Sequence, residues 1–126
     1  MIIRSLMKSK DGTSAVEFGL TAPVFFMLLI SFFEVGRLLW TQVGLQHGTE
    51  MAARCASVDR TVCGSPSAIQ NYAASQSLGL TVPPSTFSVA ALVCGNQVTA
   101  TYAFTAVAPY FGLPAVTLNA KACFPR

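Results

Sequence analysis

Hydrophobic and polar positions divide this 126-residue chain into three stretches. A short leader carrying Arg4, Lys8 and Lys10 gives way to an apolar block, Phe18 to Phe33, that contains no charge. Sixteen residues make a helix of about 24 Å, whereas a bilayer core of about 30 Å needs about 20 residues. Val35, Leu38, Leu39 and Trp40 complete the span if Glu34 and Arg37, three apart on one helix face, neutralise each other. Trp40 then suits the far interface as an aromatic anchor.

Beyond the span a helical period continues. Leu38, Leu45 and Ala52 recur every seven residues, flanked by Gly48, Thr49, Cys55 and Ala56. Such small residues permit close approach of a neighbouring helix, and the stripe equally suits packing against the chain's own C-terminal part. Glu50 and Arg54 stand at i,i+4 in the favourable order. Gly44 and Gly48 each cost about 1 kcal/mol against Ala inside a helix, and Pro23 is expected to kink the helix or loosen its first turns. A helix from Thr13 to about Ser57 would be about 67 Å long.

The rest of the chain turns to Ser, Thr, Ala and Val with few charges. Ser65-Pro66 reads as an N-cap followed by Pro at N1, opening a short helix to about Ser77. Gly79 and Pro83-Pro84 close it. Thr86–Cys94 and Gln97–Val107 read as strands joined by a Gly95-Asn96 hairpin, and Ala115–Phe124 as a third strand after a turn at Gly112 and Pro114. The expected class is α+β: a long N-terminal transmembrane helix as a stem, then a small disulfide-stapled domain with a short helix and an antiparallel sheet of about three strands.

Composition sharpens this picture. The chain is 52% hydrophobic with mean hydropathy +0.54, and only 10% of residues are charged, a balance suited to one membrane anchor and one small domain. The net charge of +3 owes its excess to the leader, so it is a topology signal and not a nucleic-acid footprint. Lys8 and Lys10 precede the span while Arg37 and Arg54 follow it, which places the N-terminus in the cytoplasm and the bulk of the chain outside. A cleaved secretory signal would need small residues at −3 and −1 after the apolar block. The exit Ser31-Phe32-Phe33-Glu34-Val35-Gly36 does not supply them.

Outside the cytoplasm disulfides persist, and a domain this small needs staples. Cys55, Cys63, Cys94 and Cys123 allow three connectivities, among which sequence does not choose. Cys55–Cys63 would pin the stem's end to the following loop, and Cys94–Cys123 suits a meander. Zinc is disfavoured because the cysteine gaps of 8, 31 and 29 residues include no C-x2-C pair. His47, the single histidine, has no acidic or cysteine partner at a diagnostic spacing, and no phosphate loop or nucleophile elbow appears. The chain reads as a non-enzyme without cofactor or metal.

The stretch Gly12-Thr13-Ser14-Ala15-Val16-Glu17-Phe18 adds a sharper reading. A carboxylate at the mouth of a membrane helix is costly and calls for a partner. The layout resembles the processing site of type IV prepilins. Together with Thr21-Ala22-Pro23-Val24 and Phe33-Glu34-Val35-Gly36-Arg37 it is similar to TadE-like minor pseudopilins of the Tad (Flp) pilus assembly system. The resemblance covers about residues 4–56. It implies a leader over 1–12, a transmembrane and stem helix over 13–57 and an extracytoplasmic α+β domain over 58–126. It further implies cleavage by a prepilin peptidase between Gly12 and Thr13. Glu17, beside Phe18, would then pair with the new α-amine of an adjacent subunit. Partners so implied are the peptidase, other pilins or pseudopilins, the Tad inner-membrane assembly complex and the bilayer. The competing readings are a single-pass anchor presenting an extracytoplasmic binding module, and a type II secretion pseudopilin. No adhesion ligand is legible.

Overall fold

The computed structural model describes residues 10–107 and 115–126. The leader residues Arg4 and Lys8 and the turn at Gly112 and Pro114 lie outside the described residues. In chain order the elements are α1 (Lys10–Val58), α2 (Pro66–Ser75), a 3-10 turn (Pro84–Thr86), β1 (Phe87–Leu92), β2 (Gly95–Phe104) and β3 (Val116–Phe124). The class is α+β. The chain forms two compact units, Met1–Val35 and Gly36–Arg126.

The first unit consists, over its described part, of the N-terminal stretch of α1. Large apolar side chains stand exposed on every side of it, Phe18, Leu20, Phe25, Phe26, Phe32 and Phe33 among them. A helix that is apolar all round belongs inside a protein or a membrane. Pro23 has no N–H to give to the carbonyl four residues back, yet the helix continues through it in both directions.

In the second unit the remainder of α1 packs on a three-stranded antiparallel meander ordered β1-β2-β3. Alternation along the strands gives the sheet one apolar face, with Phe87, Val98, Ala100, Phe104, Leu118 and Ala120 buried. Ala100 sits opposite both Phe87 and Ala120. Leu45, Ala52, Ala53 and Ala56 of α1 fill the same core. The small stripe of α1 is thus consumed by the chain's own domain, with Leu45 and Ala52 fully buried, and is not left for a neighbouring helix.

Close approach also explains the glycines. A Cβ at Gly48 would lie 2.5 Å from Ser77 Oγ and 2.7 Å from the Ala73 carbonyl oxygen, and one at Gly44 would lie 2.8 Å from the Ser77 carbonyl oxygen. The C-terminal end of α2 and the loop after it therefore rest directly on the backbone of α1. The propensity cost of these glycines is offset by contact that no larger residue permits.

Side chains then tie backbone to backbone. Gln42 donates to the Asn119 carbonyl at 2.9 Å, Ser57 to Phe124 at 3.2 Å, and Asn96 to Ala56 at 3.1 Å, so the stretch of α1 from Gln42 to Ser57 is fastened to the sheet at both ends. Gln70 of α2 donates to the Phe87 carbonyl at 2.8 Å. Ser65 caps α2 by accepting from the Ala68 amide, with Pro66 at its first position.

Three local expectations need correction. The β1–β2 hairpin turns at Val93-Cys94 and not at Gly95-Asn96, since Leu92 pairs with Gly95 and Ala91 with Asn96. Gly95 has φ +123°, and a Cβ there would collide with the Phe124 carbonyl oxygen, so the glycine serves strand approach and not the turn. Asn96 is spent on α1. α2 ends at Ser75, two residues early, where Gln76 forms the C-cap and Leu78 and Gly79 take positive φ. Glu50 accepts a hydrogen bond from Gln46 at 2.7 Å in place of an ion pair with Arg54.

Two disulfides close the domain, Cys55–Cys63 and Cys94–Cys123. Within the first loop, Asp59 accepts from the Thr61 hydroxyl and from the Val62 and Thr61 amides, and these bonds hold its carboxyl below the ordinary carboxylate range.

Three substitutions test these contacts through stability. Gly48→Ala, which ordinarily strengthens a helix, is expected to destabilise the protein by about 1–3 kcal/mol through overpacking. Gly36→Ala, with nothing within 4 Å of the added carbon, should be neutral or mildly stabilising in the same thermal melts. Replacing Cys94 and Cys123 together by Ser should lower unfolding free energy by about 2–4 kcal/mol in denaturant titrations, because a 29-residue loop is released in the unfolded chain.

Candidate functional site

The candidate site is the N-terminal stretch of α1. Gly12 and Thr13 lie in its first turns and are exposed. Thr13 and Glu17 stand four residues apart, one helical turn, and share a face. Glu17 is exposed, and among the described residues its carboxylate has no hydrogen-bond or ionic partner. Phe18 beside it is 72% exposed. A lone carboxylate amid apolar surface tolerates lipid poorly and gains greatly from a cation.

Two hydroxyls of this stretch are satisfied by the helix itself. Thr21 Oγ1 donates to the Glu17 carbonyl at 2.9 Å, and Ser31 Oγ to the Met27 carbonyl at 2.8 Å. Such i−4 bonding lets hydroxyls enter an apolar medium without an orphan donor. The Glu17 carboxylate, unlike these two hydroxyls, has no partner among the described residues.

The remaining predicted positions divide between the two units. Pro23 and Phe33 are exposed and Glu34 is half-buried, all in the first unit. In the second unit the Arg37 guanidinium lies 5.3 Å from the Phe104 ring centroid, and Trp40 is exposed. A cation over a ring face is attracted by the ring quadrupole, so Arg37 helps hold the sheet to the helix.

His47 Nδ1 is 2.8 Å from the Gln76 carbonyl, a contact in which Nδ1–H donates. That fixes the histidine as a tether between α1 and the end of α2. Among the described residues, no group of three or more His, Cys, Asp or Glu is placed to hold a metal ion. A cleft of about 430 Å³ is lined by Arg60, Ser65, Asn96 and Arg126, among others, without a carboxylate or histidine. It can accept polar groups but has no acid–base pair.

Gln42, Gln70 and Asn96 have structural roles that the sequence pattern did not disclose. Each is a polar side chain reaching a carbonyl 17 to 77 positions away, and no local periodicity marks such a contact.

No curated protein and no solved structure matches the chain. Residues 12–54 match the model of the family described as TadE-like protein. The likeness thus covers the apolar helix with Glu17 and most of the helix that enters the core, while the sheet and all four cysteines lie beyond it. Over its apolar helix, the chain is similar to the TadE-like proteins of the Tad pilus system.

Proposed function

We propose that this chain is a minor pseudopilin needed for assembly of a Tad (Flp) type IV pilus, a structural subunit and not an enzyme. The observation that carries the reading is Glu17, which has no partner among the described residues, on the exposed apolar stretch of the helix, five positions after Gly12 and inside the segment similar to TadE-like proteins. The helix anchors the protein in the bacterial inner membrane with its N-terminus cytoplasmic and its disulfide-bonded domain outside. A prepilin peptidase cuts between Gly12 and Thr13, which leaves an ammonium group on Thr13 and makes Glu17 the fifth residue.

Thr13 and Glu17 then present opposite charges on one helix face, about 6 Å apart along the axis. A neighbouring pilin or pseudopilin displaced by one turn brings its own ammonium group against Glu17. In a low-dielectric setting the matched pair is far better than two separated charges. The carboxylate therefore sets register and partner choice, while apolar helix faces supply most of the contact area. Incorporation proceeds through the Tad inner-membrane assembly complex.

N-terminal sequencing of protein recovered from membranes should give a start at Thr13 when an active prepilin peptidase is present and at Met1 when it is absent. A Met1 start under both conditions would favour a plain membrane-anchored module. Glu17→Ala should be cleaved normally, retain its folded domain by protease resistance, and fail to co-purify with the assembly complex or support piliation. Normal pili on cells carrying only Glu17→Ala would remove the proposed pairing.

A further inference from the structure

Covalent continuity places Gly36, the first residue of the second unit, next to Val35, the last of the first. Whatever packs beside Arg37 therefore lies close to the point where the helix leaves the apolar block. β2 runs antiparallel to α1: Asn96 at its start donates to the Ala56 carbonyl, and Phe104 at its end meets the Arg37 guanidinium. Phe104 pairs with Val116, so β3 begins at the same end.

Apolar side chains stand exposed there. Trp40 is 58% exposed, Val107 70% and Val116 44%. No charged residue falls between Phe104 and Val116 in the sequence. From Gly36 onward the chain has five basic residues against two acidic ones, and both carboxylates accept hydrogen bonds from nearby residues of the same chain.

We infer that this end of the sheet rests on the membrane that holds the helix, so that the domain has a second lipid contact of its own. Trp40, Val107 and Val116 enter the boundary between headgroups and acyl chains, and Arg37 stays at the level of the phosphates. An aromatic ring with a polar edge and a long cationic side chain suit that layer, and apolar residues backed by positive charge bind it in proportion to the area they bury. The lipid is favoured over a protein partner because the patch is continuous along the chain with the apolar helix. The inference rests on the reading of that helix as a membrane span.

The test uses the full chain in phosphatidylcholine–phosphatidylglycerol vesicles with and without brominated acyl chains. Trp40 is the single tryptophan and reports the helix exit directly. In a Trp40→Phe background, Val116→Trp reports the sheet end and Val93→Trp the exposed hairpin tip at the opposite end. Val116→Trp should emit at short wavelength and be quenched by brominated lipid to a degree comparable with native Trp40, whereas Val93→Trp should emit as in water, unquenched.

A water-like, unquenched Val116→Trp would overturn the inference. So would a blue-shifted but unquenched one, which would mean that protein covers the patch. Equal quenching at Val93→Trp would also overturn it, since the contact would not be confined to one end. Absence of quenching at native Trp40 would instead overturn the span itself. Val107→Trp repeats the measurement should Val116→Trp lose its native circular dichroism.

Discussion

How closely one helix can approach its neighbours governs the whole of the Gly36–Arg126 unit. α1 contributes only small side chains where it meets other elements most tightly: Gly44 and Gly48 under the end of α2, Ala52, Ala53 and Ala56 in the core shared with the sheet. The sheet answers with Ala100 and Ala120 on its central and outer strands. Small residues on both sides bring the backbones near enough for Gln42, Ser57 and Asn96 to bridge them by single side chains. Bulkier residues would deepen the apolar core but break those bridges. With few large residues to bury, a domain of this size gains modest hydrophobic stabilisation, and the two disulfides supply constraint that the core does not.

Much of this was legible in the chain, for identifiable reasons. The apolar block, the Ser65-Pro66 helix start and the three β-rich runs are local signals, and each reappears as an element with ends shifted by a few residues. The meander implied by short connections also brings Cys94 near Cys123, as the structure does. Signals that mislead are those with two possible uses. Gly95-Asn96 is strong turn chemistry, but its glycine is required where the β3 end passes close by and its asparagine binds α1. Gly44 and Gly48 argue locally against a continuous helix, and only the loop resting on them shows why they stand in one.

The N-terminal stretch behaves differently. Its chemistry was readable because it violates a local rule: a carboxylate sits where only apolar groups belong. The structure adds that the Thr21 and Ser31 hydroxyls are satisfied by the helix, while Glu17 has no partner among the described residues. That contrast cannot be read from the sequence, because Thr21 and Ser31 carry no mark of where their protons go.

One consequence of the way α1 sits in the Gly36–Arg126 unit is mechanical. From Gly36 to Val58 the helix forms one wall of the folded domain. A pull on that stretch along its own axis acts as shear against β2 and β3. The bridges to the Asn119, Ala56 and Phe124 carbonyls lie side by side under that load and share it. The Cys55–Cys63 loop keeps the last turn of the helix from unwinding under tension. The domain is thus fastened against being peeled from its own helix.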